Sequence, residues 1–169
     1  MFDKFHKHCT ECKKGQPCGK FHLYVLSLDP RIRTGSSSKK RRFRRVNPNT
    51  HATGTPVYVG KSECAPRCRQ GKHRTYVDAD TSKWRCYCGK YDELNEYIQF
   101  RDTPTSVRNY LKGDYGFLIP GLFKQLNPFE TSQAAEEAEG ALAIALRDAG
   151  YAVWAGHHDD ALVAEEGDE

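Results

Sequence analysis

No run of apolar residues in this chain approaches the ~20 needed to carry a helix across a bilayer. The opening residues, MFDKFHKHCTEC, lack the apolar core of a secretory signal. These two absences predict a cytoplasmic protein with no membrane partner, or a nuclear one in a eukaryotic cell. Lys and Arg are missing from residues 157–169, HHDDALVAEEGDE, which hold six acids and read as a disordered acidic tail. Setting that tail aside turns a formal charge of +4 into +10 on residues 1–156. A body so basic suits a polyanionic partner, of which nucleic acid is the commonest.

Hydrophobic residues make up 38% of the 169 and charged residues 28%, enough for one core of modest size rather than two. Seven cysteines do not fit a disulfide framework, because the count is odd and the expected compartment reducing. They fall in close pairs, Cys9 with Cys12, Cys64 with Cys68 and Cys86 with Cys88, and Cys18 stands apart. Such spacing points to structural zinc. Cys9, Cys12 and Cys18 with His6, His8 or His22 offer three thiolates and an imidazole, and Cys64, Cys68, Cys86 and Cys88 offer four thiolates. Reduced buried thiols are the plainer alternative.

Along the chain, FHLYVLSL (21–28), TPVYVG (55–60) and YAVW (151–154) read as strands. Residues 62–73 read as a short helix with Pro66 in its first turn. Residues 103–116 read as a short helix and turn, and FLIPGLF as strand or turn. SQAAEEAEGALAIALRDA (132–149) is the strongest helix, opened by Thr131 or Ser132 and stopped by Gly150. Residues 30–55, with six basic residues between 39 and 45, read as a loop or disordered insertion, and 74–100 as a second, cysteine-bearing one. Residues 1–20 would form a Cys/His-rich arm or zinc knuckle. The expected class is a small α/β or α+β domain over 21–157, its sheet of three mainly antiparallel strands flanked by helices.

On a helical wheel at 100° per residue, Ala135, Leu142 and Leu146 fall within about 20° of one direction, and Glu139 lies only about 40° from it. A carboxylate on an inward face is costly unless it is paired or holds a cation. Arg69 and His73, four residues apart, share a face of their helix, and Tyr58 ends the strand before it. A tyrosine, an arginine, a histidine and an inward glutamate suit phosphodiester hydrolysis. That reaction needs a base for water, a cation on the phosphate oxygens and a divalent metal.

These residues resemble the GIY-YIG nucleases. HLYVL (22–26) resembles the first half-motif, with Tyr24 as its tyrosine, and VYVG (57–60) resembles the second, with Tyr58. Arg69 and His73 match the arginine and histidine of the following helix, Glu139 matches the metal-holding glutamate, and His157 follows the closing strand. The resemblance spans roughly 21–29, 55–73 and 103–157. It departs from the family at His22-Leu23, where Gly-Ile is usual, and in its two insertions. It implies a Mg²⁺- or Mn²⁺-dependent endonuclease acting on double-stranded DNA, in restriction, mobile-element movement or repair. Tyr24, Tyr58 or His73 would then activate water, Arg69 bind the phosphate and Glu139 hold the ion. A second copy or a partner protein would supply specificity. Lys39, Lys40, Arg41, Arg42, Arg44, Arg45 and Lys61 are the expected phosphate contacts, with Phe43 available for stacking. The competing readings are a non-catalytic nucleic-acid-binding module and a zinc-stabilised interaction protein.

Overall fold

The computed structural model describes residues 8–49, 54–78, 88–89 and 107–159, without the side chains of 72 and 74–78. Three strands, β1 (His22–Ser27), β2 (Val57–Ser62) and β3 (Val153–Ala155), form one sheet in the order β1-β2-β3. β1 and β2 are antiparallel, with Tyr24 opposite Gly60 and Leu26 opposite Tyr58. β2 and β3 are parallel, with Tyr58 beside Trp154. The sheet is therefore mixed rather than mainly antiparallel, because the long connection from β2 returns β3 to the same end of the sheet.

Side chains alternate between the faces of a strand, so His22, Tyr24, Leu26, Tyr58 and Trp154 share one face. Helix α1 (Ser38–Val46) and helix α2 (Pro66–Asp78) meet this face, through Phe43 on Trp154 and His73 on Tyr24. Helix α3 (Ser132–Asp148) packs across all three strands from the other face, with Ala135, Glu139, Ala143 and Leu146 buried. Thr131 caps α3 by accepting the amide of Ala134 at 3.0 Å, as its place before the apolar stripe predicts. Residues 107–129 add three-residue 3₁₀ turns at Arg108–Tyr110, Pro120–Leu122 and Lys124–Leu126, and isolated bridges of Leu118 to Leu26 and Phe129 to Phe21.

The segment expected to be a loop at 30–55 is instead ordered through residue 49. Asp29 caps a 3₁₀ turn at Pro30–Arg33, and the Ser37 hydroxyl accepts the amide of Lys40 to open α1. What makes the helix is tertiary. Phe43 stacks on Trp154 at 6.3 Å, and Asn47 bonds both backbone groups of Val153, at 2.7 and 2.9 Å. On the opposite edge Asn127 does the same to Leu23, at 2.7 and 2.8 Å. Each asparagine thus supplies the donor and acceptor that a further strand would have offered an open edge. Asn127 also donates to the carbonyl of His8, which ties the N-terminal segment to the domain.

Candidate active site and thiol centre

Tyr24, Tyr58, Arg69, His73 and Glu139 come together in the fold. The Tyr24 hydroxyl lies 3.0 Å from Nε2 of His73, and Nε of Arg69 donates to that hydroxyl at 3.4 Å. The rings of Tyr24 and Tyr58 are 5.8 Å apart, and Tyr58 meets His73 edge-on at 5.7 Å. α2 presents Arg69 and His73 on one face because they are a helical turn apart, and β1 supplies Tyr24 beneath them. Gly60 is needed here, since a Cβ at that position would collide with the Tyr24 hydroxyl. The set is closed in, with Tyr24 1%, Tyr58 4%, His73 8% and Glu139 1% exposed. Burial pushes both phenols above their usual range. Tyr24 is relieved by the charge and hydrogen bond of Arg69 and by a hydrogen bond with Tyr58, whereas Tyr58 is raised further by Tyr24.

Glu139 approaches from the opposite face of the sheet, where β3 ends at Ala155. Gly156 leaves room there: a Cβ would collide with the Tyr58 hydroxyl. Oε1 of Glu139 accepts the amide of His157 at 2.7 Å, and the buried Oε2 has no hydrogen-bond partner among the described residues. Desolvation raises this carboxyl to about 7, against the His157 amide and the nearby His158 and Lys61. A buried oxygen without a donor is the arrangement a cation ligand needs. Beside it, Lys61 bonds Glu136 at 2.7 Å and the Ser132 hydroxyl at 2.8 Å, so its charge is already engaged.

At the start of β1 lies a second cluster. Sulfur donors around a tetrahedral zinc stand about 3.8 Å apart, and sulfur and nitrogen donors about 3.5 Å. Cys9 is 4.0 Å from Cys18, Cys12 is 3.4 Å from Cys18, and Nε2 of His22 is 3.5 Å from Cys12 and 3.3 Å from Cys18. All four donor atoms lie within 4.8 Å of one another, close enough to hold a zinc-like ion. The amides of Glu11 and Cys12 donate to the Cys9 sulfur at 3.4 and 3.3 Å, as the turn of a metal knuckle would. Hydrogen bonds from Cys12, then from His22 and these amides, outweigh burial and hold Cys9 down to about 3. The imidazole in this set is His22 rather than His8, whose ring lies against Phe123 at 5.8 Å. His22 wins because β1 is rigid and directs it inward beside Tyr24, whereas His8 lies one residue from Cys9.

Of the expected second zinc set, Cys86 falls outside the described residues. Cys68 and Cys88 are 3.7 Å apart, and Cys64 lies 2.9 Å from the Ser62 hydroxyl. The basic run is a helix, on which Arg41, Arg44 and Arg45 are exposed and Lys39 and Lys40 half-buried. Arg42 is buried and bears on Asp159, which also pairs with Arg147 at 2.9 Å, so it is withdrawn from any surface track. Phe43 is likewise spent on the core rather than open for stacking. The signals missed in the sequence are the two edge-covering asparagines, which no periodicity marks. Compared with protein-family models, with curated proteins and with solved structures, the chain matches none.

Proposed function

We propose that the chain is a metal-dependent endonuclease of GIY-YIG type that hydrolyses phosphodiester bonds in DNA. The observation that supports this reading is the meeting of Tyr24, Tyr58, Arg69 and His73, brought from β1, β2 and α2, with the buried Glu139 carboxyl of α3 near enough for its charge to act on both phenols and one of its oxygens without a donor among the described residues. Because burial keeps Tyr24 protonated, it serves better as a relay than as a standing phenolate. Water attacks phosphorus and gives its proton to the Tyr24 oxygen, as Tyr24 passes its own to Nε2 of His73. The bond from phosphorus to the leaving oxygen then breaks. Arg69 offsets the charge on the phosphate oxygens. Glu139 would hold Mg²⁺ or Mn²⁺, which supplies charge stabilisation at the leaving oxygen. Arg41, Arg44 and Arg45 of α1 would contact the backbone of the duplex.

One observation favours a second reading, a binding module without catalysis: the tyrosines, His73 and Glu139 are all nearly closed to solvent. Binding and cleavage of a labelled duplex, measured together across a salt series, separate the two. The nuclease reading expects cleavage that depends on Mg²⁺ or Mn²⁺, and a binding slope that falls by about one unit of log K per log salt for each phosphate-contacting arginine replaced. Salt-sensitive binding with no cleavage under either metal supports the module instead.

A further inference from the structure

The thiols extend beyond the Cys9, Cys12, Cys18 and His22 set. Cys64, Cys68 and Cys88 pack with Cys9, Cys12 and Cys18 around Ala65 in one cluster, separate from the apolar core. Cys12 is the link, since it hydrogen-bonds with Cys88 as well as with Cys18 and lies beside His22. Gly15, midway between Cys12 and Cys18, and Gly89, just past Cys88, press their backbones together: a Cβ on Gly89 would sit 3.2 Å from Cα of Gly15. Both have positive φ, at 70°, so each turn needs glycine. Two knuckles are thereby clasped back to back.

Packing alone does not explain so many thiols, because alanine or valine would fill the same space. Metal stoichiometry does. Two four-coordinate ions sharing one thiolate require seven donors, and among the described residues the cluster offers six sulfurs and the His22 imidazole. The 3.7 Å separation of Cys68 and Cys88 matches the edge of a zinc tetrahedron at about 3.8 Å. The Ser62 hydroxyl on Cys64 matches the outer hydrogen bond that orients a ligand thiolate. From Cys9, Cys12, Cys18, His22, Cys64, Cys68 and Cys88 we infer that the cluster is a dinuclear zinc centre. Cys12 bridges an ion bound by Cys9, Cys18 and His22 to a second bound by Cys64, Cys68 and Cys88. Among the described residues the first set has all its donors within 4.8 Å, and the second begins from the Cys68–Cys88 pair. The soft donor set selects zinc over magnesium.

The test needs no nucleic acid, so its outcome is independent of the nuclease reading. Elemental analysis of the full chain should give two zinc ions, and one ion per chain overturns the inference. Replacement by cobalt(II) should give two ions whose paramagnetic resonance is weakened by exchange through the shared sulfur; two uncoupled cobalt ions refute the bridge. Cys64→Ser and Cys88→Ser should each leave one ion, and Cys86→Ser should keep both. Loss of an ion in Cys86→Ser would put Cys86 in place of Cys12 and overturn the arrangement. Should the serine variants misfold, the metal count and the cobalt coupling of the unaltered chain still decide.

Discussion

At the scale of single residues, the buried Glu139 carboxyl ties stability to pH, and the proposed cleavage would follow the same ionisation with opposite sign. Its carboxyl ionises near 7 in the fold and near its ordinary 4.5 when the chain unfolds. The folded form therefore holds the proton more tightly, and stability falls as pH rises from about 4.5 through about 7. Glu139→Gln, which keeps an oxygen for the His157 amide, should raise stability at pH 8 by roughly 2–4 kcal/mol and leave it little changed at pH 4. Denaturant melts at the two pH values measure this, and equal gains at both would refute it. Metal-supported cleavage needs the ionised form, so its rate should climb through the same pH range in which stability declines. A bound cation should draw that climb to lower pH as its concentration increases. Glu139 was legible in the sequence because helical geometry alone turns it inward. Which imidazole joins the thiols was not, because His6, His8 and His22 are all within reach of the same cysteines by spacing.

At the scale of elements, α1 shows where sequence reading stops. In SKKRRFRRV only Phe43 and Val46 are apolar, a face too short to announce a helix from the sequence. Its existence depends on partners more than a hundred residues away, where Phe43 stacks on Trp154 and Asn47 bonds Val153, with Nε of Arg147 donating to Asn47 at 3.2 Å. Phe43→Ala should cost about 3–4 kcal/mol, the usual loss for a buried aromatic. Asn47→Ala should cost about 1–3 kcal/mol by leaving the Val153 amide without an acceptor, while Arg147 still donates to the Val153 carbonyl. Chemical denaturation of each variant checks both values, and a loss below about 0.5 kcal/mol for Phe43→Ala would show that α1 does not depend on this contact. By contrast β1, β2 and α3 were readable locally. Their continuous apolar runs or apolar stripe, with Thr131 and Gly150 as end signals for α3, needed no distant partner.

For the whole molecule, two kinds of chemistry are joined through shared elements. His22 and Tyr24 are two residues apart on one face of β1, and Cys68 adjoins Arg69 on α2. The thiol centre therefore anchors both strand and helix that carry the candidate site, and Arg69 also feels the charge of Cys64. Stripping zinc with a strong chelator and restoring Mg²⁺ should then lower cleavage together with the melting temperature, and full activity in a zinc-free sample would contradict that coupling. The mixed strand order was not readable, because the direction of β3 depends on the path of residues 63–152 rather than on the pattern of YAVW.

The most direct measurement is incubation of the full chain with supercoiled plasmid and Mg²⁺ or Mn²⁺, beside Arg69→Ala and Glu139→Ala. The site described here predicts nicked or linear DNA from the unaltered chain and a loss of at least about 10²-fold in both variants. Intact plasmid under both metals, or cleavage that survives both substitutions, would contradict it.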